Sequence, residues 1–290
     1  MTLPDRFGDM RGALSLRKLY RRGLTMLEHS GIQDAGSDAW ILLEAAFDLD
    51  RQSYLMSGEE PADPRKAALY MEWIFRRAER IPVQYITGEA WFCGQRFLVT
   101  PDVLIPRLDT EVLVEEARHR MMPGMRILDL CTGSGCILLT LLREGNVSGC
   151  GADISEKAVE VARENGRRMC LEAEWIRSNL FDGICGTYDL IVSNPPYIAS
   201  DVIPTLDPEV CMHEPHLALD GGQDGLGILR TIIREAPAHL SCGGWLLLEI
   251  GYDQGEAVRL LLGQAGFKQT EILPDLAGRD RAAVGRKTDV

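Results

Sequence analysis

The apolar positions of this 290-residue chain change their pattern near residue 80 and again near residue 105. In the first stretch they recur at helical spacing. Leu16, Leu19, Leu24 and Leu27 form a stripe that predicts a helix over 15–30. The run from Trp40 to Phe47, broken only by Glu44, predicts a second over 38–49. Pro64 suits the first turn of a third, with Ala68, Met71, Ile74 and Phe75 at apolar spacing behind it. Residues 1–80 therefore read as a small all-helical domain with nothing catalytic in it.

Between 81 and 104 the pattern becomes strand-like. Tyr85-Ile86-Thr87-Gly88 and Phe97-Leu98-Val99 flank a segment of Gly, Cys and Gln, which predicts a β-hairpin linker. From 105 to 290, short apolar runs alternate with helical stripes. The runs at 126–130, 147–152, 173–176, 190–193, 245–250, 271–273 and 282–284 predict strands. The stripes at 110–117, 136–143, 156–167, 226–240 and 254–265 predict helices. Such alternation belongs to an α/β fold, a mostly parallel sheet covered on both faces. Gly243-Gly244 is expected to make the tight entry to the strand at Trp245.

Composition narrows the function classes. A net charge of -12 argues against a protein that coats duplex nucleic acid. Arg76, Arg77 and Arg80 could still form a local basic patch, or simply a solvated helix end. The eight cysteines make no CxxC pair, and His213 and His216 have no partner motif, so no metal is expected. Reduced, mostly buried thiols are the expectation. Residues Met1 to Asp9 lack a signal-peptide pattern and no apolar run has spanning length, which predicts a cytoplasmic protein.

The most telling residues are Asn194-Pro195-Pro196-Tyr197, directly after the strand Tyr188 to Ser193. Strand ends are where open α/β sheets place their chemistry. Two prolines stiffen the loop that presents a carboxamide and an aromatic ring. Earlier, Asp129-Leu130-Cys131-Thr132-Gly133-Ser134-Gly135 joins a strand to a helix, and its glycines permit a tight turn and close approach by a ligand. The third glycine of a dinucleotide fingerprint is replaced by Leu138. Asp153 closes the next strand, where a carboxylate can accept from both ribose hydroxyls of an adenosine. Ser155 and Glu156 cap the following helix. Loop and acid alone fit S-adenosylmethionine, a dinucleotide, or a turn and cap without a ligand. The Asn-Pro-Pro-Tyr loop favours the first.

Taken together, these residues resemble the protein-(glutamine) methyltransferases that modify class 1 peptide chain release factors. The resemblance spans almost the whole chain, least specifically in the helical part. It rests on Tyr85-Ile86-Thr87-Gly88, Leu104-Ile105-Pro106-Arg107 with Asp109-Thr110-Glu111, the glycine loop and Asn194 to Ile198. It rests also on Glu214-Pro215 with Ala218 to Gly222, on Glu249-Ile250-Gly251, and on Asp275 to Asp280. The family usually has Gly at Cys131 and often Pro at Leu108. The implied fold is a Rossmann-like class I S-adenosylmethionine-dependent methyltransferase domain over 105–290, preceded by the helical domain and hairpin. The implied reaction moves a methyl group from S-adenosylmethionine to the side-chain nitrogen of the glutamine in the release factor's Gly-Gly-Gln motif. The helical domain would help grip the release factor, and the chain would act as a monomer.

The resemblance also implies a site. Asp129, Cys131, Thr132, Gly133, Gly135, Asp153, Ile154, Asn179, Leu180 and Asn194 would bind the cofactor, with Arg107, Thr110 and Glu111 closing over its methionine end. Arg107 would pair with a carboxylate, the ligand's or Glu111's. Asn194, Pro195, Pro196 and Tyr197 would hold the substrate glutamine. The Asn194 oxygen and the Pro195 carbonyl can each accept one amide hydrogen, and the Tyr197 ring can pack on the planar amide. Glu249 is expected to support the site rather than react. The same Asn-Pro-Pro-Tyr logic serves adenine-amine methyltransferases of DNA or RNA and methyltransferases of other translation proteins. A base-flipping enzyme would be expected to carry an added basic recognition domain, which is absent from this sequence.

Overall fold

The computed structural model describes residues 14–288. The N-terminal segment read as lacking a leader, Met1 to Asp9, lies outside the described residues. The chain divides into two compact units, Met1–Thr87 and Gly88–Val290.

The first unit is helical. Ser15 caps α1 (Leu16–His29) by accepting from the Lys18 amide, and the unit continues through α2 (Ala35–Phe47) and α3 (Arg51–Ser57). Asp63 accepts from the Arg65 and Lys66 amides to start α4 (Pro64–Ala78), and α5 (Val83–Thr87) ends the unit. Leu19, Leu27, Leu42, Leu43, Tyr70 and Ile74 fill its core. The short α3 was not predicted, because it buries no residue and so has no apolar stripe. The expected strand at Tyr85-Ile86-Thr87 is instead helical. Val83 and Ile86, three apart, turn the same face into this core. The arginine cluster is no basic patch: Arg77 is buried against Asp38 at 2.6 Å, and Arg80 donates to the Ser30 and Gly31 carbonyls.

The second unit opens with a hairpin, β1 (Glu89–Phe92) and β2 (Gln95–Leu98), shorter than the sequence suggested. It is packed rather than free. Phe92 and Phe97 bury against the helices that follow, and the Leu98 backbone is held from both sides by the Asn165 carboxamide at 2.7 and 3.0 Å. Then come α6 (Thr110–Arg120), β3 (Arg126–Leu130), α7 (Cys136–Glu144), β4 (Ser148–Asp153), α8 (Glu156–Met169) and β5 (Glu174–Arg177). These are followed by β6 (Tyr188–Ser193), α9 (Pro208–His213), α10 (Gly227–His239), β7 (Leu240–Glu249), α11 (Gly255–Gln264), β8 (Lys268–Pro274) and β9 (Asp280–Arg286).

The seven strands order as β5-β4-β3-β6-β7-β9-β8. The β5-β4-β3-β6-β7 neighbours pair in parallel, while β9 runs antiparallel to both β7 and β8. Alternation along β3 sends Ile127 to one face, with Leu113 of α6 and Leu138 of α7. It sends Leu128 and Leu130 to the other, with Ile232 of α10 and Val258 of α11. Gly243-Gly244 does not start a strand. Gly243, at φ +76°, lies inside β7, where the register with β6 shifts between Tyr188 and Leu190. From β3 the chain winds outward through β4 to β5, then crosses back to β6 on the other side of β3, so a crevice opens at the carboxyl ends of these strands.

Candidate active site

A cavity of about 260 Å³ occupies that crevice. Cys131, Thr132 and Gly133 line it after β3, Asp153 and Ile154 at the end of β4, Asn179 and Leu180 after β5, and Asn194 and Pro196 after β6. The segment before α6 supplies Val103 and Arg107, the first residue of α6 supplies Thr110, and the loop after α9 supplies Leu217 and Asp220.

The glycine loop is built by its neighbours. Asp153 accepts from the Gly133 amide at 3.0 Å and from the Ser155 amide at 2.9 Å, tying the loop to the start of α8. Burial nevertheless holds its carboxyl above the ordinary range, opposed by those amides. A side-chain carbon added at Gly133, φ +53°, would meet nothing within 4 Å, so this turn leaves open space. Gly135, φ +78°, differs: an added carbon would meet Trp175 at 2.9 Å and Ala162 at 3.1 Å. Gly135 is required by packing and by its cap of α7, and it is not on the cavity wall.

Asp129 is also off the wall. It is fully buried and accepts from the Thr132 hydroxyl at 2.6 Å and the Leu138 amide at 3.3 Å. Burial pushes its carboxyl up to about 7. It shapes the loop from beneath, a role that its place in the motif did not distinguish from ligand contact.

Around the Asn-Pro-Pro-Tyr loop, the Asn194 side-chain nitrogen donates to the Thr110 hydroxyl at 3.0 Å. Pro195 is buried, and Pro196 faces the cavity. Tyr197 departs from expectation. Its ring packs on the core beside β6 and β7 and its hydroxyl donates to Glu249 at 2.9 Å, so it does not line the cavity. The half-buried phenol finds its acceptor in the buried Glu249.

Two models match the sequence: PrmC N-terminal domain over residues 18–88 and Methyltransferase small domain over residues 87–206. A release factor glutamine methyltransferase of Cereibacter sphaeroides is 44% identical over 280 residues, covering 96% of this chain and 99% of that protein. One from Geobacter sulfurreducens is 39% identical over 274 residues, covering 94% of this chain and 96% of its own length. The chain belongs to the release factor glutamine methyltransferase family. In fold, a methyltransferase crystal structure from Pyrococcus furiosus aligns with a TM-score of 0.54 at 18% identity, over 68% of this chain and 91% of that one. The second unit thus has the Rossmann-like methyltransferase architecture.

Within the family frame, three assignments change. Arg107 pairs with Glu214 rather than Glu111: one of its terminal nitrogens lies 2.7 and 2.6 Å from the two Glu214 oxygens. Glu111 instead accepts from the Cys93 amide at 2.7 Å, fastening the hairpin turn, and does not reach the cavity. The thiols are less buried than expected. Cys136 and Cys150 are buried, whereas Cys170, Cys185 and Cys242 are exposed. Cys131, standing where the family usually has glycine, adopts φ +56°. Glu214 stands in the Glu214-Pro215 segment of the family resemblance, but nothing in the sequence around it signals a partner 107 residues away. Among the described residues no helix is long and apolar enough to cross a membrane.

Proposed function

We propose that this protein transfers a methyl group from S-adenosylmethionine to the side-chain amide nitrogen of the glutamine in the Gly-Gly-Gln motif of class 1 peptide chain release factors. The observation that carries the reading is the Asn194 carboxamide. It stands at the cavity with its nitrogen already engaged by Thr110, so its oxygen is the end left for a donor on the substrate. Family membership supplies the substrate class.

The residues fit the cofactor. Gly133 leaves space at the loop, and Asp153, although it holds two backbone amides, retains lone pairs for ribose hydroxyls. Asn179, Leu180 and Ile154 would flank the adenosine, with Cys131, Thr132, Arg107 and Thr110 nearer the methionine end. When bound, the cofactor supplies an electrophilic methyl on a sulfonium. No metal is called for.

The difficulty is the acceptor, since an amide nitrogen delocalises its lone pair into its carbonyl. Asn194 Oδ1 would accept one amide hydrogen and the Pro195 carbonyl the other, fixing the nitrogen in line with the methyl. Both dipoles would favour positive charge growing on that nitrogen. Orientation contributes a further large share of the rate. Tyr197 would act through Glu249, by bracing the loop. The first unit would contribute to gripping the release factor, and the chain would work as a cytoplasmic monomer without duplex nucleic acid.

Incubating a purified class 1 release factor with the protein and S-adenosylmethionine tests this reading. A gain of one methyl mass supports it. No gain, with cofactor binding confirmed by calorimetry, moves the substrate to another protein or a nucleic acid.

A further inference from the structure

The loop that carries Asn194 is anchored at both ends. At its start, the Ser193 hydroxyl donates to the Leu130 carbonyl at 2.7 Å. At its end, the Tyr197 hydroxyl reaches Glu249, and the Tyr197 carbonyl accepts from Gln254 Nε2 at 2.9 Å. Gln254 stands just ahead of α11 and is 8% exposed. The same Nε2 donates to the Gly225 carbonyl at 3.3 Å, and Oε1 accepts from the Gly251 amide at 2.8 Å. One carboxamide thus joins three segments: the Asn-Pro-Pro-Tyr loop, the loop over 219–225, and the chain leaving β7. The two loops also pair directly. The Ile198 amide donates to the Leu219 carbonyl at 3.0 Å, and the Ile198 carbonyl accepts from the Gly221 amide at 2.8 Å. A side-chain carbon added at Gly225 would lie 2.4 Å from the Tyr197 carbonyl oxygen, so the contact leaves no slack. Asn194 and Pro196 of one loop and Asp220 of the other border the cavity.

We propose that Gln254 is a positioning residue for methyl transfer, locking these two loops into one platform that fixes Asn194. The inference rests on the role of Asn194 proposed above and adds what holds it in place. A backbone amide only donates and a carbonyl only accepts. Gly251 therefore takes Oε1, and the Tyr197 and Gly225 carbonyls take the two Nε2 hydrogens. All three partners demand the same orientation, so the carboxamide cannot flip without losing every bond. Between this anchor and Asn194 lie only Pro195 and Pro196. Their rings fix φ, and each restricts the residue before it, so few torsions are soft. A displacement of the Tyr197 peptide is passed on to the Asn194 carboxamide rather than absorbed. Gln254 itself is not on the cavity wall. The cofactor-side residues after β3 and β4 belong to other strands, so their placement does not depend on it.

The test is steady-state methyl transfer by the full chain to an intact release factor, with cofactor affinity from calorimetry. Gln254→Met keeps the length of the side chain and removes all three bonds. It should lower kcat by about 10- to 100-fold, the scale of a misplaced reacting group. Cofactor affinity and the KM for the release factor should each stay within about 3-fold. Gln254→Glu keeps the shape and the bond to Gly251 but sets lone pairs against two carbonyls, so it should be slower than Gln254→Met. Val258→Ala, one turn along α11 in the core, controls for stability alone. It should lower Tm through the cavity it leaves, while its kcat, read well below that Tm, stays within about 2-fold of wild type. Normal kcat in Gln254→Met would overturn the proposal. So would a loss of cofactor affinity as large as the loss of kcat, or an equal loss of kcat in Val258→Ala. If Gln254→Met does not fold, Gly225→Ala, which crowds the same Tyr197 carbonyl from the other loop, is read by the same criteria. Wild-type turnover is measured first: its absence counts against the proposed reaction, whereas a change confined to the variants bears on Gln254.

Discussion

Arg107 and Glu214, 107 residues apart in sequence, meet in an ion pair of 2.6 Å in which the carboxylate is 1% exposed and the guanidinium 38%. The pair joins the segment before α6 to the end of α9, two stretches that both border the cavity. Burial raises the Glu214 carboxyl and Arg107 pulls it back. Arg107→Ala removes that opposition and leaves a buried, unpaired charge. The expected loss of stability near neutral pH is about 1–3 kcal/mol. The sign with pH follows from the raised carboxyl. The folded variant holds its proton where the unfolded chain releases it, so the gap from wild type widens as pH rises above the ordinary carboxylate range. Denaturant melts at pH 5 and pH 8 check this, and Glu214→Gln should lose much less.

Asp129 makes a second pH prediction. Its carboxyl moves from 3.8 to about 7, chiefly through burial. Below the lower value both states are protonated and the group is neutral in its effect. Between the two values the folded protein keeps a proton that the unfolded chain has lost, so stability falls as pH rises, and above about 7 the effect is constant. Asp129→Asn cannot titrate. The difference in Tm between wild type and this variant should therefore decline from pH 4 to pH 7 and then level off. A difference that does not vary with pH contradicts the assignment.

Asn194 and Asp153 should separate cleanly. Asn194→Ala removes the group offered to the substrate and should cut turnover about 100-fold or more. Its cofactor affinity should hardly change. Asp153→Ala should weaken cofactor binding by about 10- to 100-fold, as expected for losing a charged hydrogen-bond partner. Calorimetry with S-adenosylmethionine, beside initial rates, reads both. Equal loss of cofactor binding in the two variants sinks the division of roles.

Cys131 occupies left-handed backbone at φ +56°, a conformation that costs a non-glycine residue about 1–2 kcal/mol. Glycine relieves this but is freer in the unfolded chain, by about 0.4–1 kcal/mol. Cys131→Gly should therefore leave Tm unchanged or slightly raised. Cys131→Val, branched at the same backbone, should lower it by several degrees. Burial pushes the thiol up, so neither change should remove a reactive group.

The architecture of the second unit was legible because strand runs and helix stripes alternate, and its carboxyl-end residues Asp153 and Asn194 do border the cavity. What sequence hid was direction and distance. Tyr197 and Asp129 sit in the right motifs, yet both turn inward, since a phenol or carboxyl packed under a loop bonds to buried partners. Gly135 looks like a ligand-loop glycine but answers to Trp175, forty residues on, whose ring leaves no room for a side chain. Arg107 finds Glu214 across a gap that no periodicity reports. In the first unit, Tyr85-Ile86-Thr87 carries strand-forming residues, and only the core that receives Val83 and Ile86 makes it a helix.

The central claim is that the methyl group goes to one nitrogen. The most direct measurement is fragmentation mass spectrometry of the Gly-Gly-Gln peptide from a release factor incubated with this protein and S-adenosylmethionine. The expected result is a single added methyl on the glutamine side chain, missing when Asn194→Ala replaces the wild type under the same brief incubation. A methyl located on any other residue, or equal modification by the two proteins, would contradict the account.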